Sequence, residues 1–87
     1  MSALLIAYDL NKPGQDYSGF YKVRDSYPYA KLSESSYAIS TTEAPAEVYK
    51  KLKEYIDKGD RVFIIKLANP WTGFGTQDVF DWLNQNL

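Results

Sequence analysis

The sequence predicts an α+β fold, a four-stranded antiparallel sheet with two crossover helices and an extra C-terminal helix. Three observations carry that expectation. Segments 3–9 and 61–67 are apolar in both alternating sets of positions, as in strands covered on two faces. Segments 29–33 and 36–41 flank a short polar turn, Glu34-Ser35, as the two arms of a hairpin do. Apolar stripes at helical spacing fall between the first and second strands, between the third and fourth, and after the last.

Taken in order, the first strand is Ala3-Leu4-Leu5-Ile6-Ala7, running on to Tyr8 and Asp9. Asp16 then stands where a helix cap belongs, before a helix over about 17–27 with Phe20, Val23 and Tyr27 on one face. Gly19 weakens that helix and Pro28 ends it. In the hairpin, Tyr37, Ile39 and Thr41 alternate with Ala38 and Ser40. Thr41-Thr42-Glu43-Ala44-Pro45 opens the second helix, with Pro45 in the tolerated first turn. Val48, Leu52, Tyr55 and Ile56 form its apolar stripe. Its other face carries Glu47/Lys51, Lys50/Glu54 and Glu54/Lys58 at i,i+4 spacing, pairs worth about 0.2–0.5 kcal/mol each and typical of a solvated surface. Lys58-Gly59-Asp60 closes that helix, and strand 61–67 follows. After the loop 69–75, Thr76 is placed to cap a last helix reaching about Asn86, with Val79, Trp82 and Leu83 inward.

The order β-α-β-β-α-β-α contains the split βαβ arrangement of the ferredoxin-like fold, as one domain over residues 1–87. Right-handed crossovers put the first two helices on one face of the sheet. The opposite face is then apolar and uncovered, so a homodimer is expected, with the last helix folded across that face as the alternative.

Composition narrows the chemistry. The chain has 87 residues and a formal net charge of −1, which argues against a strongly electrostatic nucleic-acid binder but leaves room for a local patch. It contains neither Cys nor His, so disulfides, thiolate sites and imidazole chemistry are absent. Any metal would be held by oxygen, which selects Mg²⁺, Mn²⁺ or Ca²⁺. Aromatics reach 16%, with 8 Tyr, 4 Phe and 2 Trp, which suits a small core or an interface. No stretch approaches the ~20 apolar residues of a membrane span, and the first apolar run is too short for a signal peptide, so the expected location is the cytoplasm.

The opening stretch Tyr8-Asp9-Leu10-Asn11-Lys12-Pro13-Gly14-Gln15-Asp16-Tyr17 delivers one carboxylate at a strand end. A strand ending in Tyr-Asp within a short ferredoxin-like chain resembles the CRISPR-associated endonucleases of spacer acquisition. The whole opening motif, the helix Val48-Tyr49-Lys50-Lys51-Leu52-Lys53, and Leu67, Trp71 and Asp81-Trp82-Leu83 are more similar to small bacterial and phage proteins related to that family. The resemblance implies a homodimer in which the Asp9 carboxylates of two subunits face each other and bind Mg²⁺ or Mn²⁺. The chain departs from the nucleases in three places. Its first helix offers only Lys22 and Arg24, its second strand reads Ala30-Lys31-Leu32 where an Arg is typical, and a helix replaces a fifth strand.

Three functions remain open at this level. The first is an interaction or assembly module that contacts nucleic acid or another protein. The second is a metal-dependent endonuclease acting on RNA or DNA, with Asp9 as catalytic and metal-binding residue. The third is a toxin or phage accessory protein that binds a host protein. Lys12, Arg24 and Trp71 are the candidate nucleic-acid contacts, by phosphate attraction and base stacking.

Each candidate has a plainer reading. Asp9 can accept N–H bonds from its own loop, Asp16 can serve only as a helix cap, and Lys12-Pro13-Gly14 can be a turn. Trp71 and Phe74 can cover a sheet edge or a dimer seam. The spacing of Asp9, Asn11 and Gly14 approaches an EF-hand loop, but Phe20 stands where the bidentate Glu is required. Trp71-Thr72-Gly73-Phe74-Gly75-Thr76 lacks the Gly-Lys-Ser/Thr ending of a P-loop.

Overall fold

A computed structural model describes residues 2–12 and 14–87 of the chain. Strand β1 spans Ser2–Asp9, helix α1 Ser18–Asp25, β2 Tyr29–Ser33 and β3 Ser36–Thr41. Helix α2 spans Pro45–Leu52 and tightens into a 3-10 turn at Lys53–Tyr55. Strand β4 spans Arg61–Leu67 and helix α3 Gln77–Asn86. The strands form one antiparallel sheet in the order β2-β3-β1-β4. This is the ferredoxin-like arrangement with an added C-terminal helix.

Alternation along β1 decides where the core sits. Leu4, Ile6 and Tyr8 point to one face and join Tyr37 and Ile39 of β3. Phe20 of α1 and Val48 and Leu52 of α2 close over them, so both crossover helices cover the same face. Tyr8 meets the edge of Phe20, ring centroids 5.0 Å apart. Ala30 and Ala38 lie opposite each other in the β2–β3 register, on the other parity, and both are buried. Helix α3 packs against β2 and covers this part of the second face. The last helix therefore folds over the β2 side. The β1–β4 side stays open.

Three local expectations are corrected. Helix α1 is shorter than 17–27. Its N-cap position is Tyr17, but Asp16 still accepts the Ser18 N–H at 2.9 Å, so its carboxylate satisfies an orphan donor of the first turn. Helix α2 opens as expected with Pro45 in its first turn, and its N-cap position, Ala44, has no side-chain oxygen to offer. Only Glu47 reaches back, accepting the Ala44 N–H at 3.1 Å. Thr76 holds the N-cap position of α3 without a side-chain capping bond. Lys51 pairs not with Glu47 but with Glu43, at 2.7 Å, and its ammonium lies over the Tyr27 ring. Glu43 precedes the helix and is itself bound by the Tyr27 hydroxyl, so it is the better-fixed partner.

The weak helix former Gly19 has a packing reason. A Cβ there would sit 2.3 Å from Cε1 of Tyr55, so only hydrogen lets the 3-10 turn lie against α1. Gly14 has φ +78°, which explains its place in the first loop. The proposed Lys12-Pro13-Gly14 turn lies in part outside the described residues.

Candidate functional site

Asp9 ends β1 on the open face, exposed and directly opposite Arg61 of β4. Both residues border a shallow depression with Ala7, Tyr8 and Phe63. Neither side chain makes a hydrogen bond or ion pair among the described residues. The carboxylate therefore does not tie down its own loop. It faces outward at a strand end, where a ligand or a partner can reach it. One chain, however, offers only this carboxylate. Among the described residues, no group of three or more acidic side chains gathers anywhere.

The rest of the opening motif is a structural lock. Asp60, in the turn before β4, accepts the Asn11 N–H at 2.8 Å, the Asp57 N–H at 2.8 Å and the Tyr17 hydroxyl at 2.7 Å. The Tyr17 hydroxyl in turn accepts the Lys12 N–H at 3.2 Å. The Lys12 ammonium pairs with Asp57 at 2.7 Å. Burial works to raise the pKa of Asp60, but the accepted N–H and O–H bonds outweigh it and lower it. The Lys12 ammonium lowers that of Asp57. Asn11, Lys12 and Tyr17 are therefore fastened to Asp57 and Asp60, a tertiary link across more than forty residues of chain.

Arg24 is held in a tyrosine cage. Its side chain is 11% exposed, and its guanidinium donates to the Asp25 carboxylate at 2.8 Å and to the Tyr8 hydroxyl at 2.7 Å. The same group lies 3.9 Å from the centroid of Tyr37 and 4.7 Å from that of Tyr21. Burial opposes its charge, yet the bonds to Asp25 and Tyr8 win and raise its pKa further. Tyr8 completes the network by donating to the Glu34 carbonyl at 3.0 Å. With two carboxylate bonds and two ring faces occupied, Arg24 joins α1 to the sheet.

Trp71 packs its ring against the edge of Phe80, centroids 5.5 Å apart. It belongs to a cleft between the 71–76 loop, α3 and β2, bordered also by Leu32, Phe74, Val79 and Leu83. Because Leu67 pairs with Ala3, the loop leaves β4 at the end of the sheet remote from Asp9. Asp9, Lys12, Arg24 and Trp71 are thus distributed over the fold: an outward strand end, a fastened loop, the helix-covered face and the α3 side. The structure does not gather them.

The open half of the sheet is the most conspicuous remaining feature. Leu5, Ala7 and Asp9 of β1 share it with Ile65, Phe63 and Arg61 of β4, in cross-strand register, whereas Ala3, opposite Leu67, is buried. Phe63 is 61% exposed and Ile65 52%. Strand β4 is also an edge, with its outer row of backbone groups unpaired in the sheet. Only Arg61 and Lys66 put charge on it, and it contains neither proline nor a bulge. Sequence reasoning marked the two-sided apolar character of this strand but not Phe63 and Ile65 by number. Their parity relative to Asp9 was the available signal. No family model, curated protein or solved structure was found to match this chain.

Proposed function

We propose that this chain is an assembly module that pairs with a second copy through β4 and the open half of its sheet. The observation that carries this reading is the exposure of Phe63 and Ile65 on the open face of β4. Each keeps roughly half its side chain in water. Burying the remainder across a two-fold axis, four side chains in all, gives on the order of 3–6 kcal/mol. That offsets about the lower end of the 4–15 kcal/mol lost in ordering two bodies. Contact at Leu5 and Ala7 on the same face then supplies the surplus. Sedimentation velocity at low micromolar protein tests it. The wild-type chain sediments as a dimer, and Phe63→Lys weakens association by at least about 100-fold, because an apolar contact is lost and a charge is buried in each copy. A wild-type monomer under these conditions refutes the reading.

A second reading rests on Asp9. It shares the open face with Phe63 and Ile65, so pairing through that face brings a second carboxylate and a second Arg61 onto the same surface. The metal-dependent endonuclease predicted from the sequence needs that second carboxylate. The test is cleavage of single- and double-stranded RNA and DNA with Mn²⁺ or Mg²⁺. Cleavage that disappears in Asp9→Asn supports this reading, and cleavage that survives it, or none in the wild-type dimer, removes it.

A further inference from the structure

The open half of the sheet carries a charge pattern that its own cross-strand register makes self-complementary. Of the residues that β1 and β4 place there, Asp9 and Arg61 alone are charged, one of each sign, and they stand opposite each other at one end of the two strands. Both are exposed, and neither is paired with another of the described residues. The next positions along the register are unequal in size: Ala7 lies beside Phe63, and Leu5 beside Ile65. Phe63 and Ile65 are 61% and 52% exposed, while Ala7 and Leu5 are half-buried. Strand β4 is thus a ridge that ends in a cation, and β1 a lower row that ends in an anion.

We propose that the second copy docks on this face about a two-fold axis running along the strands, between β1 and β4, so that Asp9 of each copy pairs with Arg61 of the other. The arrangement rests on the assembly reading above and fixes how the two sheets are oriented. A two-fold contact requires a patch that complements itself. Rotation about this axis lays β4 of the second copy over β1 of the first, at the same height along the strands. Arg61 of the second copy then faces Asp9, Phe63 faces Ala7 and Ile65 faces Leu5. Large side chains meet smaller ones, as facing layers do when they interdigitate at the ~10 Å spacing of packed sheets. An axis running across the strands, centred on the same face, instead sets Asp9 over Ala3, Arg61 over Leu67 and Phe63 over Ile65. Both charges then lose a counter-charge, and the ridge meets itself. Opposite charges across an interface fix register and suppress wrong pairings more than they add affinity. Each Asp9 carboxylate here meets a guanidinium in place of the second Asp9, so Asp9 is an orienting residue of the contact.

Charge reversal tests it, by sedimentation velocity at low micromolar protein and low salt, where exposed pairs are least screened. Asp9→Arg sets arginine against arginine in a homodimer, and Arg61→Asp sets aspartate against aspartate. Each variant alone is expected to associate at least about 30-fold more weakly than the wild type, because like charges juxtaposed at a contact oppose it. In an equimolar mixture of the two variants every facing pair is again of opposite sign, so the mixture recovers a dimer near the wild-type affinity. Recovery also shows that both variants are folded. Variants that self-associate as tightly as the wild type, or a mixture no tighter than either variant alone, overturn this inference. Those outcomes leave the assembly reading in place, since a wild-type dimer broken by Phe63→Lys supports it independently. A wild-type monomer removes both.

Discussion

Gly19→Ala sets two physical effects against each other, and the structure decides between them. Helix propensity alone favours alanine by about 1 kcal/mol, less at the second residue of an eight-residue helix. Packing opposes it. The new Cβ would lie 2.3, 2.5 and 2.9 Å from Cε1, Cδ1 and Cζ of Tyr55, far inside the 3.5–4.0 Å optimum for carbon atoms. Three ring atoms are involved, so a small shift of the ring tip does not suffice. The ring must swing away from the core cluster it partly covers. Overpacking of this kind costs typically 1–3 kcal/mol. The net expectation is destabilisation of about 1–2 kcal/mol. For a domain of this size, each kcal/mol lowers Tm by roughly 4–8 °C. Thermal unfolding followed by circular dichroism measures it, and the Tyr55→Ala background supplies the control. There the clash is gone, and Gly19→Ala stabilises by up to about 1 kcal/mol. A higher Tm for Gly19→Ala in the wild-type background would refute the packing argument.

Two further outcomes follow from the networks. Asp57 and Asp60 have folded pKa values below the usual 3.8 of an aspartate, so each adds stability that is complete above that value and is lost as pH falls through the depressed folded value. Denaturant midpoints measured from pH 6 downward therefore decline below about pH 4, and Asp60→Asn flattens that decline. An unchanged slope would show that the lock is not linked to folding. Arg24→Lys keeps the charge but loses the planar fork and the stacking on Tyr21 and Tyr37, so it costs about 1–2 kcal/mol by urea titration. A change within error would mean that the tyrosine cage is neutral.

The strands were legible because their signal is local. Observed β2, β3 and β4 coincide with segments 29–33, 36–41 and 61–67, and β1 gains one residue at its start. Period-two alternation and a two-residue turn need no knowledge of the rest of the chain. The stripe Val48, Leu52, Tyr55, Ile56 also survived, although the helix tightens after Leu52 to lay Tyr55 against Gly19. What escaped was everything set by distant residues. Asp60 looks like the end of a glycine turn, and nothing near it in sequence announces Asn11 or Tyr17. Arg24 reads as a surface cation until Tyr8, Tyr21 and Tyr37 surround it. The i,i+4 pairing of Lys51 lost to Glu43 because Tyr27, on another helix-loop segment, already held that carboxylate. For the candidate site, Asp9 was found from its place at a strand end. Its outward aim became visible only with the register that sets it opposite Arg61.

The open half of the sheet is proposed to join two copies of this chain. The most direct measurement is sedimentation velocity of the wild type and Phe63→Lys side by side at low micromolar concentration. The first is expected to sediment as a dimer and the second as a folded monomer, with matching circular dichroism spectra. A wild-type monomer, or a Phe63→Lys dimer of undiminished affinity, would contradict it.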